Sequence, residues 1–305
     1  MAKIIVLGSI NVDMTGYTSR FPLPGQTVMG QAFQMGPGGK GNNQATAAAK
    51  TGSEVIFISA VGDDFLAEVA LNHLQSAGID DRFVSRKEGV ATGCAVIEVE
   101  TDSGENRIIV VKGANDQISP EDVSAAADEF SSAALVLCQL ETELPPILRA
   151  KELAQKAKIP FILNPAPYQP VPPELLQGLD YITPNETEAA DLTGISISSE
   201  EDAKKAARQL QQMGVRNVII TLGKKGAFFL GEDGQSCLVP ACPVHAVNTT
   251  GAGDAFNGGF CTALAEGNPP EASLAFAAKV AAISVTREGA ATSMPSRQEV
   301  DSFSL

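Results

Sequence analysis

Asn248-Thr249-Thr250-Gly251-Ala252-Gly253-Asp254-Ala255-Phe256, continued by Asn257-Gly258-Gly259, is the stretch that the rest of the chain serves. Two glycines and an alanine leave a run of backbone N–H groups with almost no side chain in front of them. Glycine also permits the positive φ angles that let such groups converge on one point. From Ala255 to Ala265, small and apolar residues recur at helical spacing, so the loop is expected to open a helix. A glycine-rich turn feeding a helix is an anion site, because unpaired N–H groups and the positive end of the helix dipole coincide there. Asp254 inside that site has two readings. It is the base beside a transferring phosphoryl group, or it caps the helix. With an ordinary aspartate pKa of ~3.9 it is expected to be ionised at neutral pH without special tuning.

The 305 residues can bury a large core, as one large α/β domain or two smaller ones. No apolar run approaches the ~20 residues of a membrane helix. Met1-Ala2-Lys3 followed by Ile4-Ile5-Val6-Leu7 is too short and abrupt for a signal peptide and reads as a first strand. A net charge of −14 argues against nucleic acid and anionic membranes as partners. The five cysteines are scattered through apolar segments, with only His73 and His245 to join them. They read as reduced thiols of a cytoplasmic protein rather than a zinc site.

The first strand ends in Gly8-Ser9-Ile10-Asn11-Val12-Asp13. Asn11 and Asp13 share a face in extended backbone, as polar groups at the carboxyl edge of a parallel sheet or as an Asx-turn. Gln31–Met35 alternates and leads into Gly36-Pro37-Gly38-Gly39-Lys40-Gly41-Asn42-Asn43-Gln44 and an alanine-rich helix. Gly36, Gly38 and Gly41 match a dinucleotide fingerprint, which would make the protein a nicotinamide-dependent oxidoreductase. That fingerprint belongs directly after the first strand, and the turn there lacks it. No Ser or Thr follows Gly-Lys, so it is not a Walker A loop either. Lys40, Asn42 and Asn43 suit a polyhydroxyl ligand, or simply a loop that caps a helix.

Thr92–Glu100 and Arg107–Lys112 form a hairpin pattern with one polar face. With Gln31–Met35 they suggest a small sheet, from segments at about 14–36 and 92–112, serving as a lid or a dimerisation surface. From Ser119 onward strands and helices alternate regularly, through Ala134–Gln139 ending at Glu141, Pro160–Leu163 ending in Asn164-Pro165, and Tyr181–Thr183. The last leads to Pro184-Asn185-Glu186-Thr187-Glu188, where Asn185 and Glu188 share the face of a first helical turn. They are an oxygen pair for Mg²⁺ or a helix cap with its reciprocal glutamate. With no repeat or linker, residues 1–305 read as one α/β domain with a small β appendage.

Five ordered segments carry a resemblance to the PfkB carbohydrate kinase family along the whole chain: Gly8–Asp13, Gly38–Gln44, Ile182–Glu188, Thr221–Gly223 and Thr250–Asp254. The resemblance implies a doubly wound, mostly parallel α/β sheet with a β lid that often pairs two subunits into a homodimer. It implies ATP-dependent phosphorylation of a sugar's primary hydroxyl, most like the 5-hydroxyl of D-ribose, with another sugar or a nucleoside as the alternative. By the same resemblance Asp254 is the base and Gly251, Ala252 and Gly253 form its anion hole. Asn11, Asp13, Gly39, Lys40, Asn42, Asn43 and Glu141 line the sugar pocket. Asn185, Thr221, Gly223, Gly226 and Gly253 meet the nucleotide, and Asn185 and Glu188 organise Mg²⁺. An activating K⁺ is expected near Thr250, Ser284, Arg287, Gly289 and Ser293. Asn248 departs from the family's usual Asp at that site, which puts the K⁺ dependence in question.

Overall fold

A computed structural model describes residues 1–304. Its main sheet grows from near-continuous apolar runs, the composition of strands covered on both faces. The strands are β1 (Lys3–Leu7), β4 (Glu54–Val61), β5 (Val84–Arg86), β8 (Leu135–Gln139), β9 (Phe161–Asn164), β10 (Tyr181–Ile182), β11 (Asn217–Thr221), β12 (Ala227–Leu230) and β13 (Ser236–Val239). They lie in the order β13-β12-β11-β10-β9-β8-β1-β4-β5, parallel from β11 to β5, with β12 and β13 antiparallel. β5 and β13 escaped the pattern reading because three or four residues at a sheet edge leave little periodicity.

Alternate residues of each strand feed two cores. Ile4, Val6, Val55, Phe57, Leu135 and Leu137 pack on one side, against α1 (Lys40–Lys50), α2 (Phe65–Ser76), α8 (Ala252–Ala265) and α9 (Pro270–Ser284). Ile5, Leu7, Ile56, Ile58, Val136 and Cys138 pack on the other. There they meet α3 (Pro120–Ala125), α4 (Leu144–Ala157), α5 (Pro173–Leu176), α6 (Glu186–Thr193) and α7 (Glu200–Gln212). α10 (Arg297–Ser302) closes the chain against α9. Each fully buried Leu, Ile or Val contributes about 1.5–3 kcal/mol, so the sheet is a stiff platform for whatever its edge carries. Among the described residues no helix is long and apolar enough to cross a membrane.

The small sheet runs β3-β2-β6-β7, from β2 (Asn11–Thr18), β3 (Ala32–Gly38), β6 (Cys94–Glu100) and β7 (Asn106–Val111). The chain passes from β1 into β2 within a few residues, so Asn11 and Asp13 stand where the small sheet leaves the main one. The polar face expected for the hairpin is not what β7 shows: all six of its residues are exposed, four of them Ile or Val.

Because β1, β8, β9, β10 and β11 are parallel, their carboxyl ends share one edge, the usual place for a ligand in a doubly wound sheet. α8 lies against α1 there because Gly258 presents bare backbone. A Cβ on it would stand 2.5 Å from the Ala47 Cβ.

Candidate active site

α8 begins at Ala252, three residues earlier than expected, with Gly251 at its cap in the left-handed region at φ 77. No side chain caps this helix. The Ala252 N–H donates to the Thr249 carbonyl at 3.2 Å, whereas the N–H groups of Gly253 and Asp254 have no protein acceptor among the described residues. The Gly251 N–H has none either, so of the expected run Gly251–Gly253 only Ala252 is taken up, and Asp254 extends the open set.

Asp254 does not cap. Its Oδ1 accepts from Gln44 Nε2 and its Oδ2 from Asn43 Nδ2, both at 2.9 Å. The carboxyl is 6% exposed, and burial pushes its pKa up against the opposing pull of Lys40, Gln44 and Asn43. This departs from the unperturbed aspartate expected from the sequence. Lys40 is shifted the other way from a usual buried lysine. Burial lowers its pKa, but Asp254, Glu141 and Glu188 together outweigh that and raise it, so it stays charged.

An amide relay holds Asp254 in place. Gln139 Nε2 donates to Gln44 Oε1 at 2.8 Å, and Gln44 Nε2 reaches Asn164 Oδ1 as well as Asp254. Asn164 Nδ2 donates to the Thr183 carbonyl, the Thr183 hydroxyl to Asn257 Oδ1, and Asn257 Nδ2 to the Gly253 carbonyl. No role was expected from the sequence for Gln44, Gln139, Asn164, Thr183 or Asn257. Their signal was an amide as the last residue of a buried strand, at Gln139 and at Asn164.

A second cluster adjoins at Lys40. Glu141 Oε2 accepts from the Ser9 hydroxyl at 2.5 Å and from the Lys40 N–H at 2.9 Å, which pins the start of α1 to the end of β8. Gly39, at φ 87, has no room for a side chain, since a Cβ would meet the Asn11 nitrogen at 2.8 Å. Neither Asn11 nor Asp13 forms an Asx-turn. Asn11 Oδ1 accepts from Asn115 Nδ2, and Asp13 has no protein donor among the described residues. Burial and then Glu141 push the Asp13 pKa to about 6. Asn11, Asp13, Gly39, Lys40 and Glu141 thus come together, and Asn43 links them to Asp254. Asn42 does not join them. It has no accessible surface and its amide has no partner, so it faces the interior rather than a ligand.

A cleft of about 180 Å³ runs from Lys40 and Asp254 along Gly251–Gly253 to Asn185, Glu188 and Thr221. Thr249, Asn164, Thr183 and Asn257 also line it. Asn185 and Glu188 do form a capping box, with Asn185 Oδ1 accepting the Glu188 N–H at 2.8 Å and Glu188 Oε2 accepting the Asn185 N–H at 2.9 Å. The cap and the cleft wall are the same two residues. Gly223 and Gly226 lie in the turn after β11, outside this cleft. Gly226 is accounted for by packing, because a Cβ there would meet the Val239 carbonyl at 2.0 Å.

Asn248 Oδ1 accepts the Thr250 N–H at 2.9 Å, and its Nδ2 donates to Glu288 at 3.1 Å. The N–H groups of Val247 and Asn248 both go to the Val285 carbonyl, just past α9. Ser284 and Ser293 donate to the carbonyls of Ala281 and Ala290, while Arg287 pairs with Glu299. The loop before α8 is therefore tied to the segment after α9, where Gly289 turns at φ 91. Gly36 and Gly38 belong to β3 of the small sheet, not to the first strand of a βαβ unit, which removes the dinucleotide reading.

An uncapped helix start, a buried carboxylate and a charged lysine at one edge of a doubly wound sheet are the equipment of a phosphotransferase. Residues 1–297 match the pfkB family carbohydrate kinase, and the chain belongs to that family. It is 42% identical over 300 residues to the ribokinase of Haemophilus influenzae, covering 98% of this chain and 97% of that one. It is 39% identical over 301 residues to the deoxyribokinase of Salmonella typhi, covering 98% of each. The structure of Arabidopsis thaliana ribokinase complexed with ribose and ATP matches it at TM-score 0.93 and 32% identity over the whole of both chains.

Proposed function

We propose that this carbohydrate kinase transfers the γ-phosphoryl group of ATP to the 5-hydroxyl of D-ribose, giving ribose 5-phosphate. The observation that carries this is Asp254, buried at the first turn of α8 between two amide donors and beside the charged Lys40. Asp254 takes the proton of the attacking hydroxyl. The open N–H groups of Gly251, Gly253 and Asp254 and the dipole of α8 stabilise the charge on the phosphoryl group in flight. The sugar sits over Asn11, Asp13, Gly39, Asn43 and Glu141, and the nucleotide along Asn185, Thr221 and the turn carrying Gly223.

Mg²⁺ fits the wall near Glu188. One carboxylate oxygen there serves the cap and the other has no partner among the described residues, the sparse protein donor set this ion takes when phosphates and water supply the rest. When bound it would neutralise phosphate charge. A K⁺ site at Asn248, Thr250, Ser284, Arg287, Gly289 and Ser293 fits in its carbonyl and hydroxyl oxygens and lacks a carboxylate at position 248. We place the enzyme in the cytoplasm, with all five cysteines free, as a homodimer through the lid.

The 39% identity to a deoxyribokinase makes 2-deoxyribose the specific rival. ATP consumption measured over ribose, 2-deoxyribose, fructose and a nucleoside decides it. Ribose is expected to give the highest kcat/KM, and a higher value for any other would replace ribose in this assignment.

A further inference from the structure

Asn115 belongs to none of the expected site positions, yet its side chain is fully engaged and 1% exposed. Its Oδ1 accepts the Ile10 N–H at 2.9 Å. Its Nδ2 faces three oxygens: Asn11 Oδ1 at 2.8 Å, the Lys112 carbonyl at 3.0 Å and the Ile10 carbonyl at 3.1 Å. The orientation of this amide is forced. A backbone N–H can only donate, so the Asn115 oxygen must face Ile10 and its NH₂ must face Asn11. Asn11 in turn must offer its oxygen, since a flipped amide would set two NH₂ groups against each other.

The consequence lies on the other side of Asn11. With its carbonyl occupied, the group it presents outward is Nδ2, which has no protein acceptor and is not sealed from solvent, among the described residues. Nothing else intrudes on the bond between the two amides, because position 93 is glycine. A Cβ there would stand 2.2 Å from both Asn11 Oδ1 and Asn115 Nδ2. The same Asn115 amide holds Lys112, directly after β7, and Ile10, directly before β2, so it ties together two roots of the lid.

We propose that Asn115 is a positioning residue that locks Asn11 with an N–H donor toward the sugar, and so makes the site select a hydroxyl over a deoxy carbon at that point. This rests on the assignment of Asn11 to the sugar pocket of a ribose kinase. A hydroxyl oxygen accepts from Asn11 Nδ2, whereas a CH₂ group leaves that N–H desolvated and unpaired. Sites built to hydrogen-bond a hydroxyl discriminate strongly against analogues that lack it.

The test compares kcat/KM for D-ribose, 2-deoxyribose and 3-deoxyribose in the wild type, Asn115→Asp, Asn11→Ala and the double variant. An aspartate at 115 cannot donate to Asn11, which frees that amide to turn. The expected result is that preference for ribose over one of the two deoxy sugars falls about tenfold in Asn115→Asp. In the Asn11→Ala background the same substitution should leave that preference unchanged. Asn115→Leu, which keeps the volume without the donors, serves if Asn115→Asp fails to fold. An equal loss on all three sugars, or a loss of preference that persists without Asn11, would overturn the proposal. If another sugar proves to be the substrate, the ribose assignment falls, and Asn115 is judged by the same ratio on that sugar and its deoxy forms.

Discussion

Asp13 stands on β2 with no protein donor among the described residues, and on the proposed function its carboxylate receives the sugar's hydroxyls. Burial and Glu141 hold its pKa at about 6. The sign follows directly. Only the ionised form accepts two hydroxyl hydrogens, and the raised pKa means that this form is lost as pH falls through about 6, far above an ordinary aspartate. The KM for sugar is therefore expected to rise roughly tenfold per pH unit below about 6, with the KM for ATP nearly flat. In Asp13→Asn the sugar KM should be high at every pH. A sugar KM constant from pH 5 to 8 in the wild type would exclude Asp13 from the pocket. Lys40 and Asp254 were legible in the sequence because each is a charged residue set against glycine where a loop opens a helix, and Asp13 because it follows Asn11 by two residues just after the first strand. Gln44, Asn115 and Asn164 were not, since their meaning lies in partners about a hundred residues away that only the fold supplies.

Helix and strand ends are the scale at which the site is assembled. α1, α6 and α8 all start at the same sheet edge, and each start does two jobs. At α6 the capping box and the cleft wall are one pair, so loss of cap and loss of metal ligand must be separated. Glu188→Gln keeps an oxygen for the Asn185 N–H but loses the charge. It is expected to raise the Mg²⁺ concentration for half-maximal activity severalfold, with thermal stability and sugar KM little changed. An unchanged Mg²⁺ titration would leave Glu188 as a cap alone. In the loop before α8, Asn248 donates to Glu288, so Asn248→Asp sets two carboxylates together. A cation between them relieves that repulsion. The variant is expected to respond to K⁺ more steeply than the wild type, and identical half-saturation in both would show that charge at 248 does not set cation affinity. The elements themselves were largely readable, because parallel strands buried on both faces declare themselves as apolar runs. The three-residue displacement of the α8 start came from reading apolar periodicity, which begins only at Ala255, rather than the cap glycine at 251.

For the molecule as a whole, the small sheet exposes an apolar face. Cross-strand pairing aligns Met35, Met14, Val96 and Ile109 in one row across all four strands, with Phe33 on the same face. Phe33 is 64% and Ile109 67% exposed, on a sheet whose outer strand β7 is an open edge. Such a surface is covered in a stable protein, and a second copy of the same sheet is its natural cover. Light scattering is expected to give a dimer at micromolar concentration and a monomer for Ile109→Lys, and a monomeric wild type would refute this. On the function proposed above, the fold and both clusters serve phosphoryl transfer at Asp254, and its removal is the most direct measurement of that claim. In Asp254→Asn, kcat for ATP-dependent ribose phosphorylation should fall by roughly 10²–10⁴, with nucleotide binding by calorimetry nearly unchanged. Turnover close to wild type in that variant would contradict the account.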